Sequence, residues 1–256
     1  MYFNNCEIFK KEVTNSKENI FYIHGFNSSF QKRTFISNLL PNFNFYSINL
    51  PGHGNSTFDE NKISIKKYIE ILVEYIESLN LKKITLYGHS MGGGLSLILS
   101  NMLNIKIEKM ILESPINTST IQKIKNISDF FESKKESIQK ISKILFSQNN
   151  LISKTSLSSA LSKIQTNRKN NKQIFNIWKN SELKIWDEKI SNAIKQNKIE
   201  TLVILGKQDL IIPYKKSLEN FSSNNYFKTI SLNNCGHNPA LEKSFSFISE
   251  VKNFIE

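Results

Sequence analysis

Cysteine, histidine, proline and glycine are all scarce in these 256 residues, which hold 2 Cys, 4 His, 5 Pro and 9 Gly. Cys6 and Cys235 lie far apart and form no CxxC or Cys/His ligand spacing, which argues against a disulfide framework or a zinc site and leaves both as free thiols. Gly92-Gly93-Gly94 is not followed by the Lys-Ser/Thr of a phosphate-binding loop, so no nucleotide, metal or other cofactor is expected. No stretch reaches the roughly 18 apolar residues that a membrane span needs. Residues 1–13 lack the basic start, apolar run and small-residue cleavage site of a secretory signal, and a soluble cytoplasmic protein is expected.

The chain has the composition of a globular protein, 39% hydrophobic and 11% aromatic, and is long enough for one large domain with its own core. Its net charge is +12. Lys, Asn and Ile are abundant throughout, as an AT-rich genome imposes, and this accounts for much of the basic balance without a partner. The charge is nevertheless uneven. Residues 121–189 hold 14 Lys plus Arg against 6 Asp plus Glu, which marks that segment for transient contact with an anionic membrane surface. A nucleic-acid partner is not expected, because neither a recognition helix nor a basic sheet studded with aromatics is visible.

Short apolar runs of strand length at 19–26, 43–50, 83–87, 109–113, 201–205 and 226–232 alternate with longer segments of helical period. That rhythm predicts an α/β fold with a mostly parallel central sheet flanked by helices. Residues 1–13 add an antiparallel hairpin at one edge. Helical stripes are expected over 63–79, 91–103 and 241–255. From 115 to 187 no strand pattern occurs and helical stripes follow one another. The expected organisation is a core of residues 1–114 and 188–256 interrupted by a helical cap insertion at 115–187.

The strongest local signal is Gly88-His89-Ser90-Met91-Gly92, placed directly between a strand and a helix. A serine on so sharp a turn lifts its hydroxyl above the sheet, and side chains two residues to either side would strike the neighbouring backbone. Asp209 follows the strand 201–205 in Gly206-Lys207-Gln208-Asp209-Leu210-Ile211-Ile212-Pro213. His237 follows the strand 226–232 in Cys235-Gly236-His237-Asn238-Pro239. His24-Gly25-Phe26 closes the first long strand, and Leu50-Pro51-Gly52-His53-Gly54 closes the second.

With these motifs in this order the chain resembles the α/β-hydrolase superfamily, from His24 to His237, in its serine esterase and lipase branch. The resemblance implies a catalytic triad of Ser90 as nucleophile, His237 as base and Asp209 as orienting acid. Glu113, at the end of 109–113, is the alternative acid position that some relatives use. It also implies an oxyanion hole from the backbone N–H groups of Phe26 and Met91. His24, His53 and His89 are then structural, and Asn49 stands where many relatives have Asp. Phe26 and, from the insertion, Phe130, Phe146 and Trp178 are the expected substrate-binding residues; the last three belong to an apolar group of the insertion that also includes Ile127, Phe131, Leu145, Phe175 and Trp186.

The implied reaction is hydrolysis of a carboxylic ester through an acyl-enzyme, with a medium-chain acyl ester, monoacylglycerol or lysophospholipid as the substrate class. A proline iminopeptidase, a thioesterase or a carbon–carbon bond hydrolase would use the same triad. A hydrolase-fold receptor that binds a small molecule is the non-enzymatic alternative.

Overall fold

The computed structural model describes residues 1–124 and 172–256. Among these residues eight strands form one sheet: β1 (Tyr2–Phe3), β2 (Cys6–Lys11), β3 (Asn19–Ile23), β4 (Asn44–Ile48), β5 (Lys83–His89), β6 (Lys106–Glu113), β7 (Thr201–Gly206) and β8 (Phe227–Leu232). Their order is β1-β2-β4-β3-β5-β6-β7-β8. The first two ladders are antiparallel and the rest parallel, so the expected edge hairpin and parallel sheet are both present.

Strands β3, β4 and β7 are buried at every position, which is why their sequences, NIFYI, NFYSI and TLVILG, show little polar alternation. Side-chain direction still alternates. Phe21 and Ile23 enter the apolar layer on one face, and Ile20 and Tyr22 the layer on the other.

The first layer is covered by the helices Ile65–Ser78, Met91–Leu99 and Asn180–Gln196. Tyr68, Ile69, Leu72 and Ile76 form its stripe on the first of these. The Ser64 side chain caps that helix by accepting from Lys67 N–H at 3.2 Å. The opposite layer is covered by Thr34–Leu39 and Ser244–Ile255, through Ile36, Phe247, Ile248 and Val251.

The expected helix at 241–255 is two pieces, Pro239–Glu242 and Ser244–Ile255, separated at Lys243, whose φ of −136° is not helical. The boundary expected between 187 and 188 lies inside the helix Asn180–Gln196, whose Trp186 and Ile190 enter one core. No helix among the described residues is long and apolar enough to cross a membrane. Most of the expected cap, including Phe130 and Phe146 as well as Ile127, Phe131 and Leu145, lies outside the described residues.

Candidate active site

The turn between β5 and the helix Met91–Leu99 places Ser90 at φ 54°, ψ −114°, a region that residues with a side chain rarely occupy. Its surroundings hold it there. Ser90 N–H donates to Glu113 C=O at 2.9 Å, and Ser90 C=O accepts from the N–H groups of Gly93, Gly94 and Ile116 at 3.0, 3.2 and 3.0 Å. The flanking glycines are required by close approach: a Cβ on Gly88 would lie 2.4 Å from Gly92 O, and one on Gly92 only 2.0 Å from Ile23 O.

Asp209 and His237 arrive on the loops after β7 and β8. Asp209 Oδ1 accepts from Ile211 N–H at 2.8 Å and Ile212 N–H at 2.9 Å. This turns Oδ2 toward His237 Nδ1, 2.8 Å away. On the other side of the ring, Nε2 is 2.9 Å from Ser90 Oγ. With Nδ1 facing a carboxylate, the proton belongs on Nδ1, and the bare Nε2 accepts from the serine hydroxyl. The three side chains form one hydrogen-bonded line, and the residues are only 7%, 8% and 3% exposed for Ser90, Asp209 and His237.

The His237 loop is tied down at several points. Cys235 N–H donates to Gln208 Oε1 at 2.7 Å, and Gln208 N–H donates back to Cys235 C=O at 2.9 Å. Glu242 accepts from Gly236 N–H and Asn238 N–H at 2.9 and 3.1 Å. His89 Nε2 lies 3.0 Å from His237 C=O, which makes it the donor to that oxygen.

The segment carrying Phe26 lies against the same serine, since a Cβ on Gly25 would be 3.2 Å from Ser90 Cβ. His24 Nδ1 faces Gly25 C=O at 2.7 Å and Nε2 accepts from Leu50 N–H at 3.0 Å, so this histidine braces two loops. Met91 opens its helix, and its N–H has no intrahelical acceptor. Phe26 meets Trp178 edge to face with ring centres 5.2 Å apart, and Trp178 stacks on Trp186 at 6.1 Å. The two expected substrate-binding residues that are described therefore form one apolar wall beside the Ser90 turn.

Burial keeps the remaining histidines neutral. It holds His24 down to about 4 and His53 well below the ordinary imidazole range. His89 is held down to about 3, again by burial first; the Glu113 charge opposes this, and Arg33 and His237 add to it. His53 sits among the rings of His24, Phe26 and Tyr68 rather than near Ser90 Oγ. Both cysteines are free and buried, and burial pushes the Cys6 thiol up to about 11 and that of Cys235 higher still.

Glu113 does not occupy the acid position. It forms a buried ion pair with Arg33 at 2.8 Å. Burial pushes this carboxyl up, but the Arg33 charge beside it prevails and holds it at about 2. Two residues support the site in ways the sequence did not show: Asn49 stood out only as a departure from the family's Asp, and Arg33 not at all. Asn49 Oδ1 accepts from Phe30 N–H at 2.8 Å, and its amide donates to Glu7 and Gln31 at 2.7 and 3.1 Å, fixing the far end of the Phe26 loop. Arg33, in a run of polar residues, gave no sign that it is buried.

The α/β hydrolase fold family matches residues 18–244, and the chain belongs to that family. Among its relatives is the Mycoplasma genitalium protein named "Putative esterase/lipase 1", 29% identical, with 99% of this chain and 97% of that one covered. A second, the Mycoplasma pneumoniae protein named "Putative esterase/lipase 2", is 28% identical over 97% of this chain and 93% of its own length. Among solved structures, a membrane phospholipase A superposes with a TM-score of 0.84 at 17% identity, over 98% of this chain and 83% of that one, which supports the fold.

Proposed function

We propose that this protein hydrolyses carboxylic esters through an acyl-enzyme formed on Ser90. The observation that carries the reading is the buried line from Asp209 Oδ2 through His237 to Ser90 Oγ, at 2.8 and 2.9 Å. His237 Nε2 takes the hydroxyl proton as Oγ attacks the ester carbonyl carbon. The oxyanion is received by the N–H groups of Phe26 and Met91, and the helix that starts at Met91 directs its positive end toward the same point. The C–O bond to the alcohol then breaks, and His237 returns the proton to the departing oxygen. Water attacks the acyl-enzyme with His237 again as base, releasing the acid and restoring Ser90. Asp209 keeps the imidazole in the Nδ1–H tautomer and stabilises the imidazolium.

The substrate class we infer is a medium-chain acyl ester, of the monoacylglycerol or lysophospholipid kind. The apolar wall of Phe26 and Trp178 supports an acyl chain at this position. The esterase/lipase names of the relatives point the same way, and the +8 local charge of residues 121–189 suits transient contact with an anionic membrane surface. The test is hydrolysis of p-nitrophenyl esters from acetate to palmitate by the wild type and by Ser90→Ala, with labelling by a fluorophosphonate. Wild type should turn over and be labelled, and the variant should lose roughly 10³-fold or more in kcat and take no label. Equal rates in the two proteins would remove Ser90 from the mechanism.

A further inference from the structure

Beside the Ser90–His237 line lies a second charged group that the proposed chemistry does not use. The Arg33 and Glu113 side chains are fully buried, with Nη2 to Oε1 at 2.8 Å and Nε to Oε2 at 3.0 Å. The same carboxylate accepts from Tyr87 O–H at 2.6 Å and from Ala240 N–H at 2.9 Å. The same guanidinium donates from Nη2 to Asn238 Oδ1 at 3.2 Å.

These contacts touch three segments of the site. Arg33 closes the loop that begins at His24 and carries Phe26. Glu113 ends β6 and its carbonyl holds Ser90 N–H. Asn238 and Ala240 are the first and third residues after His237. A buried ion pair is weak evidence for stability, because taking two charges out of water offsets most of their attraction. Its residue choice points to geometry instead. Only two of the 34 basic residues are arginine, Arg33 and Arg168. Lysine, used everywhere else, could not place a planar fork on two carboxylate oxygens and an amide oxygen together.

We propose that the Arg33–Glu113 pair is a positioning device that sets the His237 loop in register with Ser90. The proposal rests on the assignment of Ser90 and His237 as the reacting pair. Loss of the pair lets residues 237–240 shift while the sheet beneath stays folded, and a misplacement of about 1 Å at a reacting group costs up to roughly 10²-fold in rate.

The test is the double variant Arg33→Met/Glu113→Gln. It leaves no unpaired charge, and the glutamine oxygen can still accept from Ala240 N–H. Its kcat on p-nitrophenyl butyrate should fall about 10- to 100-fold with KM within about twofold. In a ¹⁵N-histidine-labelled sample, the Nδ1–H signal that disappears in His237→Gln should broaden through exchange with water. A folded double variant with kcat within twofold of wild type and an unchanged Nδ1–H signal overturns the proposal. Should the double variant not fold, Asn238→Ala decides, since it removes the amide oxygen that ties the arginine to the His237 loop and leaves the Arg33–Glu113 charges paired. A kcat lowered at constant KM supports the proposal, and wild-type kcat overturns it. Ser90→Ala assayed alongside separates this from failure of the catalytic assignment. If that variant stays active, the assignment falls, and the Nδ1–H signal alone reports whether the pair holds the loop.

Discussion

Acid should destabilise this protein before most of its carboxylates titrate, because burial holds His24, His53 and His89 in their neutral form. In the unfolded chain each takes up a proton below its ordinary value of 6.5, whereas in the folded protein burial delays uptake to about 4 for His24 and about 3 for His89. Between those limits the unfolded state holds more protons, so stability falls as pH falls. Each pH unit below 6.5 costs about 1.4 kcal/mol per histidine, and by pH 5 His24 and His89 together remove about 4 kcal/mol. His53 moves in the same direction. A domain of ordinary stability has only about 5–15 kcal/mol to lose.

Glu113 adds a later step with the same sign. Its folded value of about 2 lies below the ordinary 4.5, so its contribution is complete above 4.5 and disappears as pH drops from there toward 2. The assay is urea unfolding followed by circular dichroism at half-unit steps from pH 7.5 to 4.5. The free energy of unfolding should fall steadily from about pH 6.5. In His53→Phe, which replaces one buried imidazole with a ring of similar size among His24, Phe26 and Tyr68, the slope should be shallower by one proton. Equal stabilities at pH 7 and pH 5 would refute the reasoning, since they require the buried rings to protonate as readily as free ones.

Two substitutions probe the frame and the wall of the site. A Cβ on Gly206 would lie 2.1 Å from Gly236 O and 2.5 Å from Cys235 O. Those atoms are backbone and cannot swing aside, so Gly206→Ala should cost about 1–3 kcal/mol or more in urea unfolding. Because the displaced residues lead directly into His237, kcat on p-nitrophenyl butyrate should fall with it. Wild-type values of both would contradict the packing. Trp178→Ala removes the ring that meets Phe26. Loss of one partly buried aromatic contact should raise KM for the butyrate ester roughly tenfold and move the optimum toward longer acyl chains. An unchanged chain-length profile would take Trp178 out of the acyl site.

The parallel sheet could be read from sequence because its buried strands are near-continuous apolar runs closed by turn residues, and the serine turn because its glycines stand directly between a strand and a helix. The ends of elements were less legible. β3 stops at Ile23 rather than 26, since Gly25 must lie against Ser90 and Asn27 turns the chain at φ 50°. The helices Thr34–Leu39 and Tyr214–Ser222 were missed because six and nine residues are too few to establish a period. Arg33 was invisible for a different reason. In the run Gln31-Lys32-Arg33-Thr34 it has the neighbours of a surface residue, and nothing local records that it is buried against a carboxylate 80 positions later.

That distant pairing follows from the topology. In space β5, β6, β7 and β8 lie side by side in chain order, and their parallel direction brings all their C-terminal ends to one edge of the sheet. Ser90 leaves β5, Asp209 follows β7 and His237 follows β8. For His237 to reach Ser90, the loop after β8 has to cross the ends of β7 and β6. The last residue of β6 is Glu113, and it meets that loop at Ala240 N–H. An apolar residue there would leave this N–H unpaired under the crossing, and an unpaired carboxylate would carry a buried charge. Arg33 answers both needs, because it comes from the Phe26 loop on the other side of Ser90, neutralises Glu113 and donates to Asn238. The order of strands thus creates a crossing point that needs an acceptor, the acceptor needs a cation, and the cation joins the two loops that have to close on the serine.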